Sequence, residues 1–291
     1  MSYLSIDPNT ISKKDLHQFV IGAISPRPIA LVSTINLNGV NNLAPYSFFN
    51  AFSSTPPIVI FSANLIGQPP RKKHTLKNVE AVPQCVINLV NYDILRQMTL
   101  CSVEFEEGIS EFEKAGLTPL EADLVEPKKV KEAFVQIECT VENIIALGIE
   151  TGAAQLVISK ILKMHISKSV MDEQLRRIDP QKLDIVGRLG RSNYVRVNGN
   201  NIESVYQSTS SSPLGFDQLP TDLLNSEVLT GNELAAFAAL TVLPTEEEIE
   251  ACANKHLLPK FQQRKYYHNK AKKLIAIKDF ENAIKIALYK G

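Results

Sequence analysis

The sequence predicts a mainly β protein: a closed or partly open antiparallel barrel with short helical insertions and an α-helical C-terminal extension. Three observations point there. Runs rich in β-branched and aromatic residues, bounded by prolines and glycines, fill the first two-thirds of the chain. None of these runs alternates with a long helical pattern, which argues against a doubly wound parallel sheet. Past about residue 206 the composition shifts, and apolar residues recur at helical spacing.

In chain order, PIALVSTIN (28–36) and PIVIFSA (57–63) read as strands, and QCVINLV (84–90) follows Pro83 as a third. AFVQIECTVENII (133–145) and AQLVISKILKMHI (154–166) flank a turn at Gly148–Gly152, which predicts a long hairpin. SNYVRV (192–197) closes the series. Several of these runs are apolar on both faces, as strands covered on both sides should be. Asn42 to Asn50, with small and polar residues around one proline, reads as a loop whose amides and hydroxyls face something polar. Thr75 is placed as the N-cap of a helix that ends before Pro83. Ser110 and Glu113 have the spacing of a capping box, with Gly116 as the stop.

The stretch QSTSSSPLG (207–215) reads as a linker. It divides a barrel domain, residues 1–205, from a helical extension, residues 206–291, expected to pack on the barrel or on a partner subunit. Within the extension Thr245 and Glu248 form a second capping-box pattern, and residues 269–291 carry an amphipathic helical pattern. Lysines on its polar face are diluted by Asp279 and Glu281, which speaks against a membrane-surface role.

The composition narrows the function classes. Of the 291 residues, 44% are hydrophobic and 21% charged, which is the balance of a folded globular chain and not of a disordered one. Basic and acidic residues number 31 each, so no bulk field draws nucleic acid or an anionic membrane, and any anion site has to be built locally. Cys85, Cys101, Cys139 and Cys252 form no CxxC pair; Cys85 and Cys139 lie inside apolar strands and read as small buried hydrophobes. MSYLSIDPNT has no signal-peptide pattern and no run of about 18 apolar residues occurs, so a cytoplasmic protein is expected. His17, His256 and His268 have no metal-site spacing, and His165, alone at the end of an apolar strand, reads as structural. No metal site is expected.

The chemistry concentrates in residues 25–75. Arg71-Lys-Lys-His74 immediately precedes the helix expected at Thr75. Free N–H groups and the helix dipole at such a start favour an anion, and a lysine and a threonine there suit a phosphate monoester. Taken alone, the same run is more often the sequence of a solvated basic loop. Phe48, Phe49 and Phe52 fit either a ligand wall or core packing. There is no Gly-x-Gly-x-x-Gly and no Gly-Lys-Ser/Thr loop, hence no dinucleotide fingerprint.

Seven motifs in register change the balance: Pro26-Arg-Pro-Ile-Ala-Leu-Val-Ser-Thr34, Asn42-Leu-Ala-Pro-Tyr-Ser-Phe-Phe-Asn50, Pro56-Pro-Ile-Val-Ile-Phe-Ser62, Lys73-His-Thr75, Val86-Ile-Asn-Leu89, Glu111-Phe-Glu-Lys-Ala-Gly-Leu-Thr-Pro119 with Ile137-Glu-Cys139, and Gly187-Arg-Leu-Gly-Arg-Ser-Asn-Tyr194. Over residues 10–200 the chain resembles the flavin reductase-like, flavoredoxin-like family of FMN-binding split barrels. The resemblance implies a Greek-key barrel, a homodimer, and an FMN-dependent NAD(P)H:flavin oxidoreductase passing hydride from nicotinamide C4 to flavin N5. NADH or NADPH would dock onto bound flavin. The alternative is an FMN electron carrier or flavin sensor with little NAD(P)H activity.

Carried over by position, Ser47 and Asn50 would contact the ribityl-phosphate chain, with Lys73 and Thr75 on the phosphate. Ser33, Thr34, Ala44, Pro45 and the backbone of Phe61, Ser62 and Ala63 would lie beside the isoalloxazine. Arg27 would be near the flavin or its phosphate, Arg71 joins the cofactor-binding set, and Arg188 and Tyr194 would border the nicotinamide side. His74 stands where the family has aspartate; losing a carboxylate beside a phosphate loop should not weaken binding. No catalytic acid or base is assigned.

Overall fold

The structure is a computed structural model that describes residues 1–205 and 212–291. The chain forms two compact units, Met1–Glu203 and Ser204–Gly291. Part of the stretch expected to be a linker, residues 207–211, lies outside the described residues.

The first unit opens with helix α1 (Lys13–Ala23), capped by Ser12, whose hydroxyl accepts the Asp15 N–H. Then follow β1 (Arg27–Pro28), β2 (Ala30–Ile35), β3 (Asn41–Tyr46), β4 (Phe49–Ser54) and β5 (Pro57–Ser62). Helix α2 (His74–Ala81) leads to β6 (Gln84–Leu89), and two short helices, α3 (Leu95–Leu100) and α4 (Glu111–Ala115), precede the small ladder of β7 (Pro119–Leu120) and β8 (Lys129–Val130). The long hairpin β9 (Val135–Ala146) and β10 (Gln155–Ile166), helix α5 (Pro180–Leu183), and strands β11 (Val186–Leu189) and β12 (Asn193–Arg196) complete it.

Seven strands form one antiparallel sheet in the order β3-β2-β6-β9-β10-β5-β4. Its two terminal strands, β3 and β4, are joined directly through Ser47 and Phe48, so the sheet curls back toward itself without closing. A separate ladder, β1-β11-β12, sets Arg27 opposite Arg188 and Arg188 opposite Tyr194. Gly187 lets these strands approach closely: a Cβ there would meet the Pro26 Cβ at 3.0 Å and a Val195 methyl at 3.2 Å, so either neighbour would have to shift.

Strand β2 explains why the first motif is apolar on both faces: all six residues are buried. Ala30 and Val32 join the core formed by Phe61, Ile87, Ile137, Val157 and the α2 residues Leu76 and Val79. Ile29, which precedes the strand, and Leu31 pack on the opposite side with Leu43, Ile94, Met98 and Phe112. Each of the larger side chains contributes about 1.5–3 kcal/mol by leaving water, and period-2 alternation assigns the β2 residues to opposite faces.

Several expectations need correction. Residues 42–50 are not a loop but β3, a two-residue bend and β4. Pro45 is tolerated because β3 ends the sheet and pairs only with β2, so no second neighbour misses its N–H. Helix α2 starts two residues earlier than expected, with Lys73 at the N-cap and Thr75 inside the first turn. Ser110 makes no side-chain cap, whereas Gly116 ends α4 in the left-handed region at φ 63°.

The second unit is helical in its ordered elements: α6 (Thr221–Leu224), α7 (Gly231–Ala238), α8 (Glu246–Lys255), α9 (Arg264–Ala276) and α10 (Phe280–Leu288). It has its own core, centred on Leu223, Phe237, Tyr267, Ile284 and Ile286. The Thr245 capping box is formed, with the Glu248 carboxylate accepting the Thr245 N–H at 2.8 Å. The amphipathic stretch 269–291 is not one helix: Lys278 turns to φ 66°, and Asp279 caps α10 by accepting the Asn282 N–H.

Candidate functional site

Helix α2 carries the first half of the site. Its N-cap, Lys73, has no side chain capable of capping, and the described hydrogen bonds leave the His74 and Thr75 amides unused. Two donors therefore point out of a helix start. Thr75 is buried, and its Oγ1 accepts from Asn42 Nδ2 at 2.9 Å. With a lone pair engaged, the hydroxyl proton is free to be donated to a neighbouring oxygen. The Lys73 ammonium lies 5.3 Å from the centroid of the Tyr46 ring and closes no ion pair among the described residues. Burial pulls its pKa below the usual lysine value, with Glu104 opposing.

Two groups beside them were not expected from sequence. The Tyr46 hydroxyl is buried near Thr75 and Glu111 without closing a hydrogen bond to either, and burial pushes its pKa well above the ordinary phenol value. Glu111, buried at the start of α4, accepts the Leu43 N–H at 2.8 Å; burial raises its pKa although that bond and His74 oppose the rise. Cys101 on the same wall is pushed up to about 12, first by burial and then by Glu111, and stays a thiol. Arg71 also borders this space, but its guanidinium is already forked onto the Glu104 carboxylate. The cavity they line measures about 410 Å³.

Pro45 and Ser102 also line a second cavity of about 430 Å³, so the two are neighbouring parts of one groove along β3. Its wall carries Arg27, Ser47, Phe48, Arg188, Arg191 and Tyr194. Arg27 is held by backbone carbonyls: Nη1 donates to Ile21 O at 2.6 Å and Ile24 O at 2.7 Å, and Nη2 to Gly190 O at 3.3 Å. Its Nε donates to Ser47 Oγ at 3.4 Å.

Of the residues expected from sequence, the structure thus brings Arg27, Ala44, Pro45, Ser47, Arg71, Lys73 and Thr75 to the groove, with Arg188 and Tyr194 at its far end. It does not bring the others. Ser33 and Thr34 are fully buried on the central strand β2, and Thr34 is occupied by Asn78 Nδ2 at 3.0 Å. Asn50 is exposed on β4 and accepts the Ala51 N–H. The side chains of Phe61 and Ala63 are interior, Phe61 with its ring 5.1 Å from that of Tyr46, and Ser62 donates to Asn64; of the backbone carried over with them, the Ser62 and Ala63 amides donate to the Phe48 and Gln155 carbonyls. His165 bonds Glu138 at 2.6 Å; Glu138 also accepts the Asp123 and Leu124 amides, so its oxygens are committed.

The residues at the α2 end suit a phosphate ester: a cation without a carboxylate partner, a hydroxyl proton free to donate, two unused amides and an orphaned phenol. A flat ligand longer than either cavity alone could lie along the groove. The architecture is a flavin reductase-like split barrel. The family model for the flavin reductase like domain matches residues 22–179, and the chain belongs to that family. An uncharacterized protein of Aquifex aeolicus is 33% identical over 184 residues, covering 63% of this chain and 91% of the relative. Among solved structures, nitrilotriacetate monooxygenase component B from Bacillus cereus is 30% identical with a TM-score of 0.65, covering 70% of this chain and 100% of that one. The 2-nitrobenzoate 2-nitroreductase of Pseudomonas fluorescens is 28% identical with a TM-score of 0.62, covering 72% and 100%.

Proposed function

We propose that this chain binds FMN in the groove along β3 and works as an NAD(P)H-dependent flavin oxidoreductase. The observation that carries the reading is the open N-terminus of α2, where Thr75 and a Lys73 that closes no ion pair among the described residues stand ready for a phosphate. FMN, when bound, supplies a two-electron redox centre. The protein's part is position and electrostatics. Lys73 and Thr75 would hold the phosphate, Ala44, Pro45 and Ser47 would flank the remainder of the cofactor, and Tyr46 would order the lysine from below. The second cavity, beside Ser47, leaves room for a nicotinamide.

A homodimer fits the same reading. Strand β4 is exposed along nearly its whole length, and Phe52 on it and Leu162 and Met164 on β10 are exposed apolar side chains. A second copy covering them would remove an open sheet edge.

The test is an anaerobic visible spectrum of the FMN-loaded protein before and after NADH or NADPH is added. Rapid bleaching of the flavin band supports a reductase. A band that persists until dithionite is added identifies an electron carrier or sensor, and failure to take up FMN refutes the site.

A further inference from the structure

The ladder β1-β11-β12 does something a stability-driven sheet would avoid. It places two arginines, Arg27 and Arg188, directly opposite each other in register. Like charges at such a position destabilise a sheet. Arg27 is only 7% exposed, and its hydrogen-bond partners are three carbonyls and a hydroxyl, which satisfy its donors but not its charge. Arg188 stacks on Tyr194, with Cζ 4.6 Å from the ring centroid, and donates to the Tyr194 hydroxyl and the Arg191 carbonyl. Burial and the charge of Arg188 both lower the Arg27 pKa. Arg191 and His17 line the same cavity. No aspartate or glutamate lines it, and none of the three arginines forms an ion pair among the described residues.

Beside these the wall carries an apolar and aromatic stretch, Ile21, Ile29, Pro45, Phe48 and Met98, with the neutral polar side chains Gln18, Ser47 and Ser102 around it. Phe48 lies with its ring centroid 5.8 Å from the Arg27 guanidinium. Such a pocket is matched by a ligand with one compact oxyanion and a planar apolar body.

We infer that the cavity between α1 and the β1-β11-β12 ladder is a binding site for a planar aromatic carboxylate, its carboxylate held between Arg27 and Arg188 and its ring against Phe48 and Tyr194. The free Nη2 proton of Arg27 and the unused protons of Arg188 supply the donors. An anion there removes the repulsion between the paired arginines. As a substrate pocket this rests on the flavin reading; as an anion site it does not.

Benzoate, its neutral isostere benzamide, and ADP as the diphosphate part of a pyridine nucleotide are titrated calorimetrically into the full-length protein, with and without FMN. The expected result is benzoate binding at least about tenfold tighter than benzamide, with about a tenfold loss in Arg188→Gln, the size of one charge-assisted bond. The isostere comparison in the unmutated chain keeps the test valid should that variant misfold. Equal binding of benzamide, or no loss in a folded Arg188→Gln, overturns the site. Binding of ADP alone overturns the carboxylate and assigns the arginines to the nucleotide. Benzoate binding to a protein that takes up no FMN sinks the flavin reading and leaves this site standing; FMN uptake without benzoate binding does the reverse.

Discussion

The two ends of the groove handle positive charge in opposite ways. Around α2 each cation has a carboxylate within electrostatic reach: Arg71 is forked onto Glu104, Lys73 feels Glu104, and Glu111 sits buried near His74. At the β1-β11 end three arginines and a histidine share a cavity without a single lining carboxylate. The first end is pre-balanced, so a phosphate bound there adds to a network that already stands. The second is unbalanced, so its ligand also relieves a standing repulsion. Binding at the first should therefore depend on individual hydrogen bonds, and binding at the second on the ligand's charge.

The largest effect that can break this comparison is at Lys73. Lys73→Ala should weaken FMN binding about 10- to 100-fold, the range for losing one charge-assisted hydrogen bond. Benzoate binding by the flavin-free protein should not follow it; parallel losses would show that the ends are one electrostatic unit. Because burial lowers the Lys73 pKa, its ammonium is lost at a lower pH than that of an exposed lysine. FMN affinity should accordingly decline as alkaline pH is approached, and Lys73→Arg should flatten that decline. A pH-independent affinity in the unmutated protein would remove the lysine from the phosphate.

Asn42 tests whether the hydroxyl is oriented as well as present. Asn42→Ala removes the donor to Thr75 Oγ1 and frees the hydroxyl to rotate. About 1 kcal/mol is at stake, or roughly fivefold in FMN affinity. Fluorescence titration of FMN into the variant reads this directly, and an unchanged affinity would mean that Thr75 contributes no directed bond.

Much of this fold can be read in the sequence because its strands obey local rules. Ala30–Ile35 and Pro57–Ser62 are β-branched runs ended by turns, and Gly152 at φ 88° lies in the turn that the hairpin requires. The misreadings have a common cause. Asn42–Tyr46 looks like a loop because its small, polar and proline residues face a groove on a sheet edge, and edge tolerance depends on tertiary pairing that no local pattern records. Lys73 and Thr75 could be found from helix-start chemistry. Tyr46 and Glu111 could not: one appears as an ordinary strand aromatic, the other as a residue inside a capping-box pattern, and only folding brings both to the cavity that Thr75 lines. Ser33 and Thr34 were carried over by position from the family resemblance, and β2, which holds them, is covered on both faces.

Glu111 offers a smaller effect with an opposite sign. Glu111→Gln keeps an acceptor for the Leu43 amide and deletes a negative charge near the phosphate site, so FMN should bind about two- to threefold tighter. Stability carries a second signature. The folded pKa lies above the ordinary 4.5. Between 4.5 and the raised value the native chain holds a proton that the unfolded chain has released. The stabilisation this gives is complete below 4.5 and is lost as pH rises through the folded value. Denaturant midpoints measured across that window should fall with rising pH less steeply in Glu111→Gln than in the unmutated protein, and identical slopes would place the buried charge elsewhere.

The smallest effect is expected at Arg71, and its smallness is informative. By position Arg71 belongs with Lys73, since both border the α2 cavity. Its guanidinium, however, is exposed and already bidentate on Glu104, so a phosphate would have to compete with a carboxylate in place. Arg71→Ala should change FMN affinity by less than about twofold. It also frees Glu104, which then faces Lys73 and His74 without its arginine partner and holds the lysine charged to higher pH. Arg71→Ala should thus shift the alkaline decline of FMN binding upward while leaving neutral-pH affinity nearly unchanged. A loss as large as that of Lys73→Ala would instead mean that Arg71 leaves Glu104 for the phosphate, and that the α2 end, like the arginine pocket, reorganises around its anion.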